Sequence, residues 1–159
     1  MELDADFDTL DFDNETIWYH GSQKRIKKFR KPTRDGELGI GIYLTTNKFY
    51  ANTWARKDGF IMECYIRRGP VIDLSQPMTP RLEREIYDRH CVMMRNLYGE
   101  DGVYSLFDFK RHILSRPFTN ASWSRLGYIG AIDPRSQIPG QIVIFEPENV
   151  KVIGISPGE

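Results

Sequence analysis

Three short stretches of this 159-residue chain each set one chemically capable side chain on an apolar run beside a glycine: Trp18-Tyr19-His20-Gly21-Ser22, Gly39-Ile40-Gly41-Ile42-Tyr43-Leu44-Thr45, and Gly140-Gln141-Ile142-Val143-Ile144-Phe145-Glu146-Pro147. A strand holds such a side chain rigidly at the mouth of a cleft, and the neighbouring glycine leaves bare backbone open to a ligand. His20 is the sharpest of these positions, because it ends its apolar run directly before Gly-Ser. The other histidines read as structural: His90 lies on the apolar face of a helix beside Cys91, and His112 lies on a basic surface with Lys110 and Arg111.

Several common chemistries are missing. Gly39-Ile40-Gly41 lacks a third glycine and runs into a strand, so it is no dinucleotide fingerprint. The sequence has no GK[ST] phosphate loop, HExxH helix or H-x-E with PCxxC, which removes the usual P-loop, zinc-protease and zinc-deaminase signatures. Cys64 and Cys91 have no paired spacing, so two reduced thiols are expected rather than a disulfide framework or zinc knuckle.

The elements that must position the candidate residues follow from periodicity. Residues 17–20 predict a buried strand ending at the Gly21-Ser22 turn, and residues 40–44 a second, reached through Pro32, Gly36, Gly39 and Gly41. Thr45 or Thr46 then caps a helix over 47–57, whose Tyr50, Ala51, Trp54 and Ala55 share one face. Strands over 60–67 and 71–74 follow. Pro80 after Thr79 opens the longest helix, with Leu82, Ile86, Met93 and Leu97 facing inward and Gly99 closing it. A shorter helix covers 106–114. Strands over 128–132, 141–145 and 150–155 complete the chain, with 133–140 as a loop. The class is α+β, strands clustering in both halves around a helical middle.

In this order and setting, His20, Tyr43 and Gln141 resemble the motifs of the ADP-ribosyltransferase superfamily. The branch is the H-Y-[E/D/Q] one shared by diphtheria-type toxins, poly(ADP-ribose) polymerases and the short transferase domains of phage and mobile-element (polyvalent) proteins. The resemblance spans about residues 17–155. The Tyr43…Ala51…Trp54-Ala55 spacing is similar to the family stretch in which an alanine or serine and a second aromatic follow the motif tyrosine. Gly127-Tyr128-Ile129-Gly130-Ala131-Ile132 resembles the strand before the third motif, and residues 141–152 resemble its ending.

The resemblance implies an ADP-ribosyltransferase-like split antiparallel β-sandwich with a helical middle segment, whose cleft takes NAD+ as co-substrate without a metal. It implies a mono-ADP-ribosyltransferase that cleaves NAD+, releases nicotinamide and passes ADP-ribose to a macromolecular acceptor, protein or nucleic acid. A phage, mobile-element or bacterial effector or toxin would fit that description. The implied catalytic residues are His20, Tyr43 and Gln141, and the implied NAD+-binding residues are His20, Gly21, Ser22, Tyr43, Trp54 and Arg25. His20 would hydrogen-bond the adenine-side ribose, Gly21 would offer its backbone to the carboxamide, and Ser22 would help on the ribose. Tyr43 and Trp54 would sandwich the nicotinamide ring, where stacking and cation–π attraction each contribute about 1 kcal/mol. Arg25, with Lys27 and Lys28, would meet the pyrophosphate or the target.

Gln141 stands where the family usually has glutamate. Its carbonyl accepts from a ribose hydroxyl, but it has no charge and cannot act as a general base. Asp133, which begins the loop leading into Gln141, is the candidate substitute carboxylate. Neutral Gln141 and Ala51 keep open a catalytically weak NAD+- or ADP-ribose-binding module. The basic stretch keeps open an RNA 2′-phosphotransferase-like enzyme, and chance coincidence of the motifs would leave a non-enzymatic interaction protein.

Composition bounds the rest. A hydrophobic fraction of 40%, a charged fraction of 28%, and 9 Phe, 8 Tyr and 3 Trp exclude a chain that is disordered throughout. This length corresponds to one domain that buries roughly 70% of its unfolded surface. No apolar run approaches the about 18 residues of a membrane span, and the acidic N-terminus is unlike a secretory signal, so a cytoplasmic protein with no membrane partner is expected. Net charge is zero but uneven: Glu2, Asp4, Asp6, Asp8, Asp11, Asp13 and Glu15 face Lys24, Arg25, Lys27, Lys28, Arg30, Lys31 and Arg34. The expected organisation is a flexible acidic arm over residues 1–16 and a single domain over 17–159. The basic stretch is a solvated loop, a dock for the arm, or a phosphate contact.

Overall fold

Strands form where the apolar runs lie and break where glycine, proline or charge intervenes. In the computed structural model, which describes residues 11–33 and 35–158, the order is β1 (Phe12–Ser22), β2 (Asp35–Gly36), β3 (Gly39–Ile40), β4 (Ile42–Thr45), α1 (Lys48–Ala55), β5 (Phe60–Arg67), β6 (Val71–Asp73), α2 (Pro80–Tyr98), α3 (Leu106–Phe109), α4 (Asn120–Arg125), β7 (Gly130–Ile132), β8 (Gln141–Ile144) and β9 (Val150–Pro157). The sheet runs β6-β7-β8-β4-β1-β5-β9, with β2 and β3 forming a separate small hairpin. All sheet neighbours are antiparallel except β6 and β7. Both faces of the sheet are covered, which is why β4 and β8 read as unbroken apolar runs rather than alternating ones.

Register fixes what each face carries. Tyr19 pairs with Thr45 and Thr45 with Gln141, while Tyr43 pairs with Val143, so Tyr19, Gly21, Tyr43, Thr45, Gln141 and Val143 share one face. Helix α1 packs there through Ala51 and Ala55 against Ile61 and Tyr19. The helices from α2 to α4 cover the same face further along, where Ile86, Phe109 and Trp123 meet Val143 and Tyr43. The opposite face carries Ile42, Leu44, Met62, Cys64, Ile142 and Ile144 under Phe29 and Ile26 of the basic stretch.

The sheet has a weak seam. Strands β1 and β4 are joined by the single pair Tyr19–Thr45, whereas β1 pairs with β5 along much of its length and β4 with β8 at every residue. Two blocks, β6-β7-β8-β4 and β1-β5-β9, therefore meet across one paired position.

The α+β class is as the sequence predicts, and the seven-stranded sheet is mixed, because β6 and β7 run parallel. Strand β1 starts at Phe12, so residues 12–16 belong to the sheet and not to an arm. Phe12 is buried beneath the Arg67 guanidinium, 4.6 Å from its ring centre, and Asp11 bonds Arg67 at 3.1 Å. The described end of the acidic segment thus pairs with β5 and not with the basic stretch. Residues 1–10 of the expected arm, and Arg34, lie outside the described residues.

Asn47, not Thr45 or Thr46, caps α1, its side chain accepting from the Phe49 N–H at 3.0 Å. Thr45 is instead buried in β4 and donates to the Pro139 carbonyl at 2.8 Å. Leu97 faces solvent, at 64% exposure, while α2 buries Ile86, His90 and Cys91.

His90 meets the rings of Phe109 and Tyr104 at 4.8 and 5.9 Å, and its Nε2 has no hydrogen-bond partner. Burial lowers its pKa from the ordinary 6.5, and the same holds for His20. Below that value the unfolded chain takes up protons that the native state refuses, so stability falls as pH drops. Melting temperature is expected to decline between about pH 7 and pH 5, and His90→Phe should flatten part of that decline.

Candidate active site

His20 sits at the seam. Its Nδ1 lies 2.6 Å from the carbonyl oxygen of Tyr43, and since a carbonyl only accepts, Nδ1 carries the proton. A neutral ring then leaves Nε2 as an acceptor. Neutrality is favoured because desolvation lowers the His20 pKa, outweighing the opposing bond to Tyr43. Phe29 meets the ring edge-on at 4.9 Å, and Trp54 lies 6.5 Å away at a tilt. His20 pairs with Met62 and is therefore out of phase with Tyr43 and Gln141. It touches β4 through the strand's edge, not its face.

Tyr43 points beneath the β2–β3 hairpin. Its hydroxyl accepts from the Leu38 N–H at 2.9 Å and donates to the Gly39 carbonyl. Its ring fills the space where a side chain at Gly36 would stand, so glycine there lets the hairpin lie directly on the ring. Burial raises the phenol pKa and keeps it protonated. The hairpin is held from the other side by Asn120, the first residue of α4, whose Nδ2 donates to the carbonyls of Leu38 and Ile40 at 2.9 Å each.

Gln141 opens β8, buried, on the same face as Tyr43 and diagonal to it. Its Nε2 donates to Ser136 Oγ at 3.2 Å and to Glu37 Oε2 at 3.4 Å. Ser136 Oγ in turn donates to Glu37 Oε2 at 3.1 Å. The carboxylate beside Gln141 thus comes from the tip of the β2–β3 hairpin. Asp133 is held instead by Arg135, in a forked pair at 3.0 and 2.9 Å that keeps its carboxyl below the usual range.

The remaining candidates divide. Gly21 is required by packing, since a side chain there would collide with the Ala51 carbonyl and the Ala55 amide of α1. Ser22 accepts from the Lys24 N–H at 3.1 Å and closes the turn into the basic stretch. Trp54 is half-buried with His20, not Tyr43, as its ring neighbour. Arg25 is exposed on the basic stretch, away from the packed positions Ile26 and Phe29. His20, Tyr43 and Gln141 therefore lie on three adjacent strands. Glu37 and Asn120 join them without any local sequence signal beyond two glycines spaced for a tight hairpin.

A scan against protein-family models gives no match, and a search of curated proteins gives none either. Among the described residues no cluster of His, Cys, Asp and Glu is arranged to hold a metal ion, and no helix is long and apolar enough to cross a membrane.

Two substitutions probe the construction. Tyr43→Phe leaves the Leu38 N–H without its acceptor and should cost about 1–3 kcal/mol in urea unfolding. Gly21→Ala forces α1 off β1 and should cost at least as much, about 1–3 kcal/mol or more by the same measurement.

Proposed function

We propose that this protein is a mono-ADP-ribosyltransferase that cleaves NAD+ and transfers ADP-ribose to a protein or nucleic-acid acceptor. The observation that carries this reading is the seam: β1 and β4 share one pair, and the His20 imidazole bridges to the Tyr43 carbonyl beside it. Gln141 stands one strand further along, on the Tyr43 face. In support of the reading, the three motif residues lie on adjacent strands where the sheet is least stitched, although His20 is out of phase with Tyr43 and Gln141 and reaches Tyr43 only at its backbone carbonyl. Neutral His20, with Nε2 as acceptor, suits a ribose hydroxyl. The resemblance puts the nicotinamide on the Tyr43 ring, part of which the β2–β3 hairpin covers, and the positive charge of the nicotinamide favours a π face.

Breaking the nicotinamide–ribose bond builds positive charge on the ribose, and an acceptor at its 2′-hydroxyl stabilises that charge. Gln141 supplies a carbonyl for this purpose. A neutral amide there argues against polymer elongation and for single transfer.

The test is direct. Incubation with NAD+ should release free nicotinamide, and labelled NAD+ in a cell lysate should leave an ADP-ribose adduct detectable by mass spectrometry. His20→Ala, removing a hydrogen bond worth about 1.5 kcal/mol, should slow release about tenfold or more. No nicotinamide release together with intact NAD+ binding would support a binding module instead.

A further inference from the structure

A carboxylate that the motif comparison does not supply stands beside Gln141. Glu37 sits between Gly36 and Gly39 at the tip of the hairpin, and its Oε2 accepts from both Ser136 Oγ and Gln141 Nε2. Its position is set from four sides. Leu38 next to it is buried in the core, Tyr43 binds Leu38 and Gly39, Asn120 binds Leu38 and Ile40, and Ser136 binds the carboxylate itself. A side chain on a free loop would have none of these anchors.

Two chemical consequences follow. A carboxylate accepts and never donates, so it can face only the NH2 end of the Gln141 amide. The carbonyl end is thereby turned away from Glu37, as an acceptor for a hydroxyl. Glu37 itself is exposed on its outer side, where a group arriving from solvent can reach it.

We infer that Glu37 is the proton acceptor of the transfer and the residue that orients the Gln141 amide. The inference rests on the transferase reading above and assigns its missing base. In the step, the bond between ribose C1′ and the nicotinamide nitrogen breaks, and its electron pair leaves with nicotinamide, neutralising the ring's positive charge. A lone pair on the acceptor oxygen or nitrogen forms the new bond to C1′, and the proton that atom carried passes to the Glu37 carboxylate. Such a base serves an acceptor that carries a proton to lose, a hydroxyl or an N–H, and has no use for a carboxylate acceptor.

The experiment compares native protein with Glu37→Gln and Glu37→Ala, measuring NAD+ affinity by calorimetry and nicotinamide release in the presence of lysate acceptors. Glu37→Gln should lose about a hundredfold in release, within the range of general-base catalysis, while NAD+ affinity stays within about threefold, below the tenfold that 1.4 kcal/mol represents. Added formate should restore release in Glu37→Ala, an effect that a structural role would not produce. Native rates in Glu37→Gln, or a loss of affinity matching the loss of rate, would overturn the role of Glu37 and leave the transferase reading standing. A native protein that neither binds nor cleaves NAD+ would overturn both.

Discussion

The whole arrangement depends on how little holds β1 to β4. A sheet gains its stability from rows of backbone hydrogen bonds between neighbouring strands, yet here one pair, Tyr19 with Thr45, joins the two blocks. Beyond that pair a side chain replaces the ladder: the Nδ1–H of His20 bonds the Tyr43 carbonyl. The bond is cheap in backbone terms and valuable in chemical ones, because it fixes the tautomer of the ring and aims the other nitrogen. Gly21, next along β1, has to be bare so that α1 can settle on the strand. The blocks are then secured by packing under Phe29, which meets His20 and lies with Ile42 and Leu44 of β4 and Met62 and Cys64 of β5, while α1 sits on β1 and β5 through two alanines.

Electrostatics follow from that packing. Desolvation makes an uncharged imidazole cheaper than a charged one, and His20 and His90 are both pushed the same way. Tyr43 is likewise held neutral by burial. The buried face of the site, with Tyr43 and Gln141, thus carries no formal charge, and the charge that does approach it, Glu37, stays at the solvent edge where hydration is retained. This division avoids the several kcal/mol that burying an ion would cost. It also leaves the Glu37 carboxylate, the base we propose, on the solvent side. The hairpin bearing it is stiff because Tyr43 and Asn120 grip three of its consecutive residues, Leu38, Gly39 and Ile40.

Much of this was legible in the residues. The apolar runs around Tyr19, Tyr43 and Val143 mark β1, β4 and β8 because each is buried, and Thr79-Pro80 with Gly99 brackets α2 through local capping chemistry. The adjacency of His20, Tyr43 and Gln141 was suggested by motif order. What escaped depends on distance. Glu37 meets Ser136 and Gln141 across 99 and 104 residues, and no periodicity encodes such a contact. Phe12 extends β1 because Arg67 and Lys151 cover its ring, again a non-local cause. Helix α4 has six residues, too few for an amphipathic pattern, although Thr119 and Ser122 form a capping box that sequence inspection could have found. Leu97 fitted an inward helical phase but lies past the point where the rest of the chain covers α2.

The central claim is that the β1–β4 seam takes a dinucleotide. A crystal structure grown with NAD+ tests it most directly. A seam that takes NAD+ should hold the nicotinamide end against Tyr43, a ribose hydroxyl on His20 Nε2, and the nicotinamide-side ribose at the Gln141 carbonyl. NAD+ bound at another surface, or crystals soaked to saturation with an unchanged and empty seam, would contradict it.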